Sequence, residues 1–100
     1  MAYNYKQPEN ETREVLGTFE KNKRGDHVQV TAIDDGKGEI SYDIRQMYTN
    51  EADELCFTSK GIRMKKDMTA KVIVEILNHM DPDTYNDIMS QLNVEDTADE

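Results

Sequence analysis

"GEISYDIRQMYTNEADELCFTSKGIRMKKD", residues 38–67, reads as two strands separated by a short polar loop. Within "EISYDIRQMY" (39–48), Ile40, Tyr42 and Ile44 alternate with Ser41, Asp43, Arg45 and Met47. That two-residue period sends successive side chains to opposite faces of a strand. "TNEADE" (49–54) is the loop, and "LCFTSKGIRMK" (55–65) resumes as a strand interrupted at Gly61. A glycine there suits a bulge or a close backbone approach.

The pattern extends upstream. "HVQVTAI" (27–33) alternates Val28, Val30 and Ala32 against Gln29, Thr31 and Ile33, and "DDGKG" (34–38) joins it to the next strand. Asp-Gly and Gly supply the positive φ angles that tight hairpins need. "REVLGTFEKN" (13–22) supplies a first strand, turned by the basic "KNKRGD" (21–26). After Thr69 the period changes. Val72, Ile73, Ile76, Leu77 and Met80 form one wide helical stripe, with Asp67 as its expected N-cap. Asp81-Pro82 stops that helix and opens a shorter one carrying Tyr85, Ile88, Met89 and Leu92. The expectation is an α+β chain: a four-stranded curved antiparallel sheet followed by an amphipathic helix (β-β-β-β-α), plus a short second helix. Residues 1–12 read as a flexible arm, 13–80 as the domain, and 81–100 as a short helix with an acidic tail.

A chain of 100 residues is expected to make one domain with a thin core. The longest apolar run is "VIV" (72–74), so no membrane span is expected. The opening residues lack a basic start and an apolar stretch, which points to an intracellular protein, in cytoplasm, nucleoid or nucleus. Cys56 is the only cysteine, so neither an internal disulfide nor a thiolate metal site is expected. The net charge of −9 is unevenly spread. Residues 13–66 carry ten basic and ten acidic groups, whereas 67–100 carry one base, Lys71, against nine acids. A basic face within the sheet is therefore compatible with an acidic chain.

Catalytic patterns are sparse. His27 and His79 lie far apart without metal-ligand spacing, and "GKG" (36–38) lacks the length and Lys-Ser/Thr ending of a phosphate loop. Asp34–Asp35 and Asp53–Glu54 lie in loops, where solvated surface is the simpler reading. No enzyme, cofactor or metal is expected. Cations and aromatics are more informative, since single strands are held by charges tracking the phosphates and flat side chains stacking on bases. Lys21, Lys23 and Arg24 lie in the first turn, Lys37 in the second, and Arg45, Tyr48, Phe57, Lys60 and Arg63 on the last two strands. Tyr42 and Phe57 also suit a core.

Asp43-Ile44-Arg45, then Tyr48, then Lys60-Gly61-Ile62 resembles the C-terminal domain of the transcriptional coactivator family called positive cofactor four, over roughly residues 15–80. The resemblance implies a four-stranded curved sheet with a helix, dimerising through the helices. It also implies sequence-tolerant binding of single-stranded DNA or unwound duplex. The residues leave the choice between DNA and RNA open. By position, Arg45 and Lys60 match phosphate-contacting residues, and Tyr48 matches an aromatic that is tryptophan in some members. A stacking aromatic in the preceding hairpin has no counterpart, because "DDGKG" stands there.

The expected function is a non-catalytic homodimeric single-stranded-DNA-binding protein acting in transcription, replication or repair, with proteins of those processes as further partners. Its dimer interface would be Val72, Ile73, Ile76, Leu77 and Met80. Tyr48 is expected to stack on bases if a bulge near Met47 turns it away from the Ile40–Tyr42–Ile44 face. The alternative is a protein-interaction module whose acidic C-terminus engages a basic partner. The acidic tail from Val94 onward solubilises the chain or screens its basic face.

Overall fold

A computed structural model describes residues 10–92; of the arm expected over 1–12, residues 1–9 lie outside the described residues, as does the acidic tail, while Glu11 is buried and Thr12 already belongs to a strand. Four strands, β1 (Thr12–Glu20), β2 (His27–Asp34), β3 (Ile40–Thr49) and β4 (Leu55–Lys65), precede two helices, α1 (Lys66–His79) and α2 (Pro82–Gln91). The strands pair antiparallel in the order β1-β2-β3-β4, so every connection is a local turn. The fold is the expected α+β arrangement. Two compact units divide the chain, one ending at Ala70 and the other beginning at Lys71.

Each turn is closed by a short polar side chain bonding to nearby backbone N–H groups. Asn22 Oδ1 accepts from the N–H groups of Arg24 (3.0 Å) and Asp26 (3.3 Å). Asp35 Oδ1 accepts from Lys37 (2.7 Å) and Glu39 (3.2 Å), and Asn50 Oδ1 from Ala52 and Glu54 (2.9 Å each). These side chains mimic a backbone turn, which is why Asn and Asp occupy such positions. Gly36 (φ 81°) and Gly38 (φ 92°) supply the left-handed backbone of the second hairpin.

Register assigns the faces. Across the sheet, Val15, Thr31, Asp43 and Arg63 form one row, with Ile33 and Ser41, and Gln29 and Arg45, in the rows beside it. The opposite face carries Phe19, Val28, Val30, Tyr42, Ile44, Tyr48, Ile62 and Met64. Sequence alternation suggests the isoleucine face as the core, but shelter falls mainly on the other. Ile33, Thr31, Asp43 and Met47 are buried on the arginine face, whereas Phe19 (59% exposed) and Ile62 (54%) face solvent on the isoleucine face. Met64 is the buried exception there. The reason is the charged side chains that close over the arginine face. Glu11, just before β1, pairs with Arg63 on β4, and Arg13 on β1 lies 6.0 Å from the Phe57 ring on β4. Flat, the outer strands would stand about 14 Å apart, three spacings of some 4.8 Å. These contacts therefore require the sheet to curl toward its arginine face.

Two irregularities sharpen that curl. Leu16 is an extra residue between Val15 and Gly17 on β1. On β4, the step from Phe57 to Gly61 opposes only the step from Met47 to Arg45 on β3, so two extra residues are accommodated there. Gly61 answers both sequence expectations, bulge and close approach. A Cβ at this position would lie 2.7 Å from the Ile44 carbonyl oxygen and 2.8 Å from the Arg45 Cα. Gly61→Ala should therefore force β3 and β4 apart and cost about 1–3 kcal/mol, the range of overpacked interiors. Urea unfolding followed by circular dichroism measures it; an unchanged midpoint would show that the strands yield freely.

α1 follows β4 without an intervening residue, so Asp67 lies in its first turn and is not its N-cap. A carboxylate there still complements the positive end of the helix dipole. Thr69 Oγ1 donates to the Lys65 carbonyl at 2.9 Å. α2 begins as expected, with Asp81 accepting from the Thr84 N–H (3.0 Å) and Pro82 in the first turn. Those bonds hold the Asp81 carboxyl below its ordinary pKa. Neither helix has a buried residue.

Candidate nucleic-acid interface

Three arginines from three strands lie on the curled face. Arg13 comes from β1, Arg45 from β3 and Arg63 from β4, each put there by alternation and register. Around them stand Gln29, Thr31 and His27 from β2, and Phe57 from β4. Two carboxylates neutralise part of that charge. Asp43 grips Arg45 with both oxygens, at 3.0 Å to Nε and 2.8 Å to Nη2, while Arg45 Nη1 donates to the Thr58 carbonyl at 2.9 Å. Glu11 gives one oxygen to Arg13 (3.4 Å) and the other to Arg63 (2.9 Å). Among the described residues, these contacts set three guanidinium groups against two carboxylates.

The expected binding residues separate into groups. Arg45 and Arg63 share the curled face, but Arg45 is largely buried against Asp43, whereas a third of the Arg63 side chain stays exposed. Lys21, Lys23 and Arg24 lie exposed at the β1–β2 turn. Lys21 Nζ donates to Gln46 Oε1 at 2.6 Å, and Arg24 pairs with Asp26 at 3.4 Å. Lys37 lies at the other end of the sheet, since the eight residues of β2 span about 26 Å. Lys60 is exposed in the β4 irregularity beside Gly61.

Tyr48 departs from the expected geometry. The extra residues lie on β4, so β3 keeps its alternation and Tyr48 stays on the Tyr42–Ile44 face, paired with Cys56. A hydrogen bond with the Cys56 thiol, followed by partial burial, pushes the Tyr48 hydroxyl above its ordinary pKa. Bases lying on the arginine face would not meet this ring.

Glu11 lies in the polar stretch 1–12 and Arg13 opens the first expected strand, so neither stands out in the sequence as part of a site. Their i, i+2 spacing placed both on one face, yet only the register reveals Arg63 opposite them.

Among the described residues, no three His, Cys, Asp or Glu side chains are placed to hold a metal ion, and no helix is long and apolar enough to cross a membrane. A cleft of about 180 Å³ is lined by Gly38, Glu39, Ile40, Lys65, Lys66 and Asp67, with its two cations matched by two acids. Comparison with family models, curated proteins and solved structures finds no match to this chain.

Proposed function

We propose that the protein binds single-stranded nucleic acid, DNA first, along its curled arginine face, as a homodimer and without catalysis. The observation that carries this reading is the convergence of Arg13, Arg45 and Arg63 with Phe57 on one face otherwise lined by Gln29, Thr31 and His27. Guanidinium groups match phosphate oxygens two at a time, and a flat ring accepts any base, so the set is sequence-tolerant by construction. Lys60 and Lys23 are further exposed cations, whereas Lys21 is bonded to Gln46 on the opposite face and Arg24 is paired with Asp26. The dimer rests on the apolar surface of α1. Val72, Leu77 and Met80 are half-buried, while Ile73 and Ile76 are exposed, more apolar surface than an isolated soluble chain usually leaves to water.

Titration of a labelled oligothymidylate, a duplex and an RNA of equal length, each at two salt concentrations, tests the reading. The single strand should bind tightest, with a log–log salt slope of about −0.7 per phosphate contacted. Arg63→Gln should make that slope shallower by about 0.7, with circular dichroism and melting temperature measured beside it because the change also removes a partner of buried Glu11. Absence of single-strand binding at low salt, or an unchanged slope in the variant, would overturn the assignment.

A second reading has its own observation. Tyr85 of α2 and Leu92 just after it are exposed, and α2 carries Asp83 and Asp87 but no base, which suits docking to a basic partner protein. It becomes the better reading if no nucleic acid binds.

A further inference from the structure

We propose that Arg13 and Arg63 form a phosphate subsite which Glu11 fills with its own carboxylate in the free protein, so that a nucleic-acid strand binds by exchange with Glu11. The inference rests on the single-strand reading above and adds to it a residue, Arg13, and a competitor built into the chain. Two guanidinium groups from the opposite outer strands meet on a single carboxylate, one oxygen to each. A phosphate diester also offers two anionic oxygens and would satisfy the same donors.

Exposure supplies the route. The Glu11 side chain is only 5% exposed, but the Arg63 side chain that holds it is 36% exposed. An incoming phosphate can therefore engage Arg63 from solvent before Glu11 leaves. Asp43 is not a comparable competitor, because it grips Arg45 through two N–H groups of the same guanidinium and is itself 2% exposed. Glu11 immediately precedes β1, an outer strand of the sheet.

The consequence is a lowered apparent affinity. A site occupied by a tethered competitor binds its ligand only in proportion to the fraction left open. Glu11→Gln keeps the size of the side chain and removes the charge, so its competition with a phosphate weakens.

Fluorescence titration of the full chain with oligothymidylate at low and high salt tests this, with melting temperatures measured in parallel. Glu11→Gln should bind several-fold tighter at low salt, with a slope steeper by about 0.7 for the cation released. Adding Arg13→Gln should abolish that gain, and Arg13→Gln alone should weaken binding. If wild type binds and Glu11→Gln matches it in affinity and slope, Glu11 is only a clamp and the subsite is refuted. If Glu11→Gln fails to fold, Arg13→Gln alone decides: weaker binding with a shallower slope supports the subsite, and unchanged binding refutes it. If neither wild type nor Glu11→Gln binds, the single-strand reading itself falls.

Discussion

Replacing Arg45 with alanine should destabilise the fold by about 3–5 kcal/mol, the cost of leaving one member of a buried ion pair alone. Asp43 is almost fully enclosed and directs both oxygens at Arg45. Without the guanidinium it must either keep its charge in a poorly solvated place or take up a proton. The Thr58 carbonyl loses a donor as well. Part of the loss should return in Asp43→Asn/Arg45→Ala, because the second change removes the orphaned charge. Urea unfolding of the three forms measures the effect. A single variant with an unchanged midpoint but weakened oligothymidylate binding would make Arg45 a phosphate ligand and not a fastener. The cation pattern and the motif resemblance both point Arg45 at a ligand; the structure gives it Asp43 and the Thr58 carbonyl as partners.

Residues 38–67 show what a one-dimensional reading can and cannot reach. Strand limits within a residue or two, the hairpin at Gly36 and Gly38, and the special role of Gly61 all follow from short-range rules: alternation, positive φ and the absence of a Cβ. Those rules act between neighbours in the chain, so they are legible in it. α2 was legible for the same reason, through Asp81 and Pro82.

The sheltered face was not legible. Hydrophobicity favours Ile40, Tyr42 and Ile44 as the inner side, yet Asp43 and Met47 are buried and Ile44 and Ile62 are exposed. What decides this is a pair of contacts across the whole sheet, Glu11 to Arg63 and Arg13 to Phe57, between residues about fifty positions apart. The face of Tyr48 is illegible for a related reason. A bulge near Met47 on β3 would turn the ring across the sheet, but which strand carries the extra residues is a property of the pairing. With them on β4, the tyrosine keeps its parity.

The exposed apolar surface carries the final prediction. Ile73→Asp/Ile76→Asp should convert the homodimer proposed here into a folded monomer at micromolar concentration. A standard interface removes about 800 Å² from each partner, so one helical stripe must supply much of it from a few large side chains. Ile73, Val74 and Ile76 are each about half exposed in the single chain, although they are among the most apolar residues it has. Twofold symmetry then amplifies the change. Both copies carry the substitution, and residues near the axis face their own counterparts, so like charges are forced together out of water. α1 should remain helical, since neither position is buried within the chain. Light scattering with circular dichroism gives mass and helicity together. A mass that halves with helicity retained supports assembly through α1. A variant that stays dimeric would move the interface to the exposed Phe19–Ile62 side of the sheet, and a monomeric wild type would leave a single arginine face per particle, too short a track for long single strands.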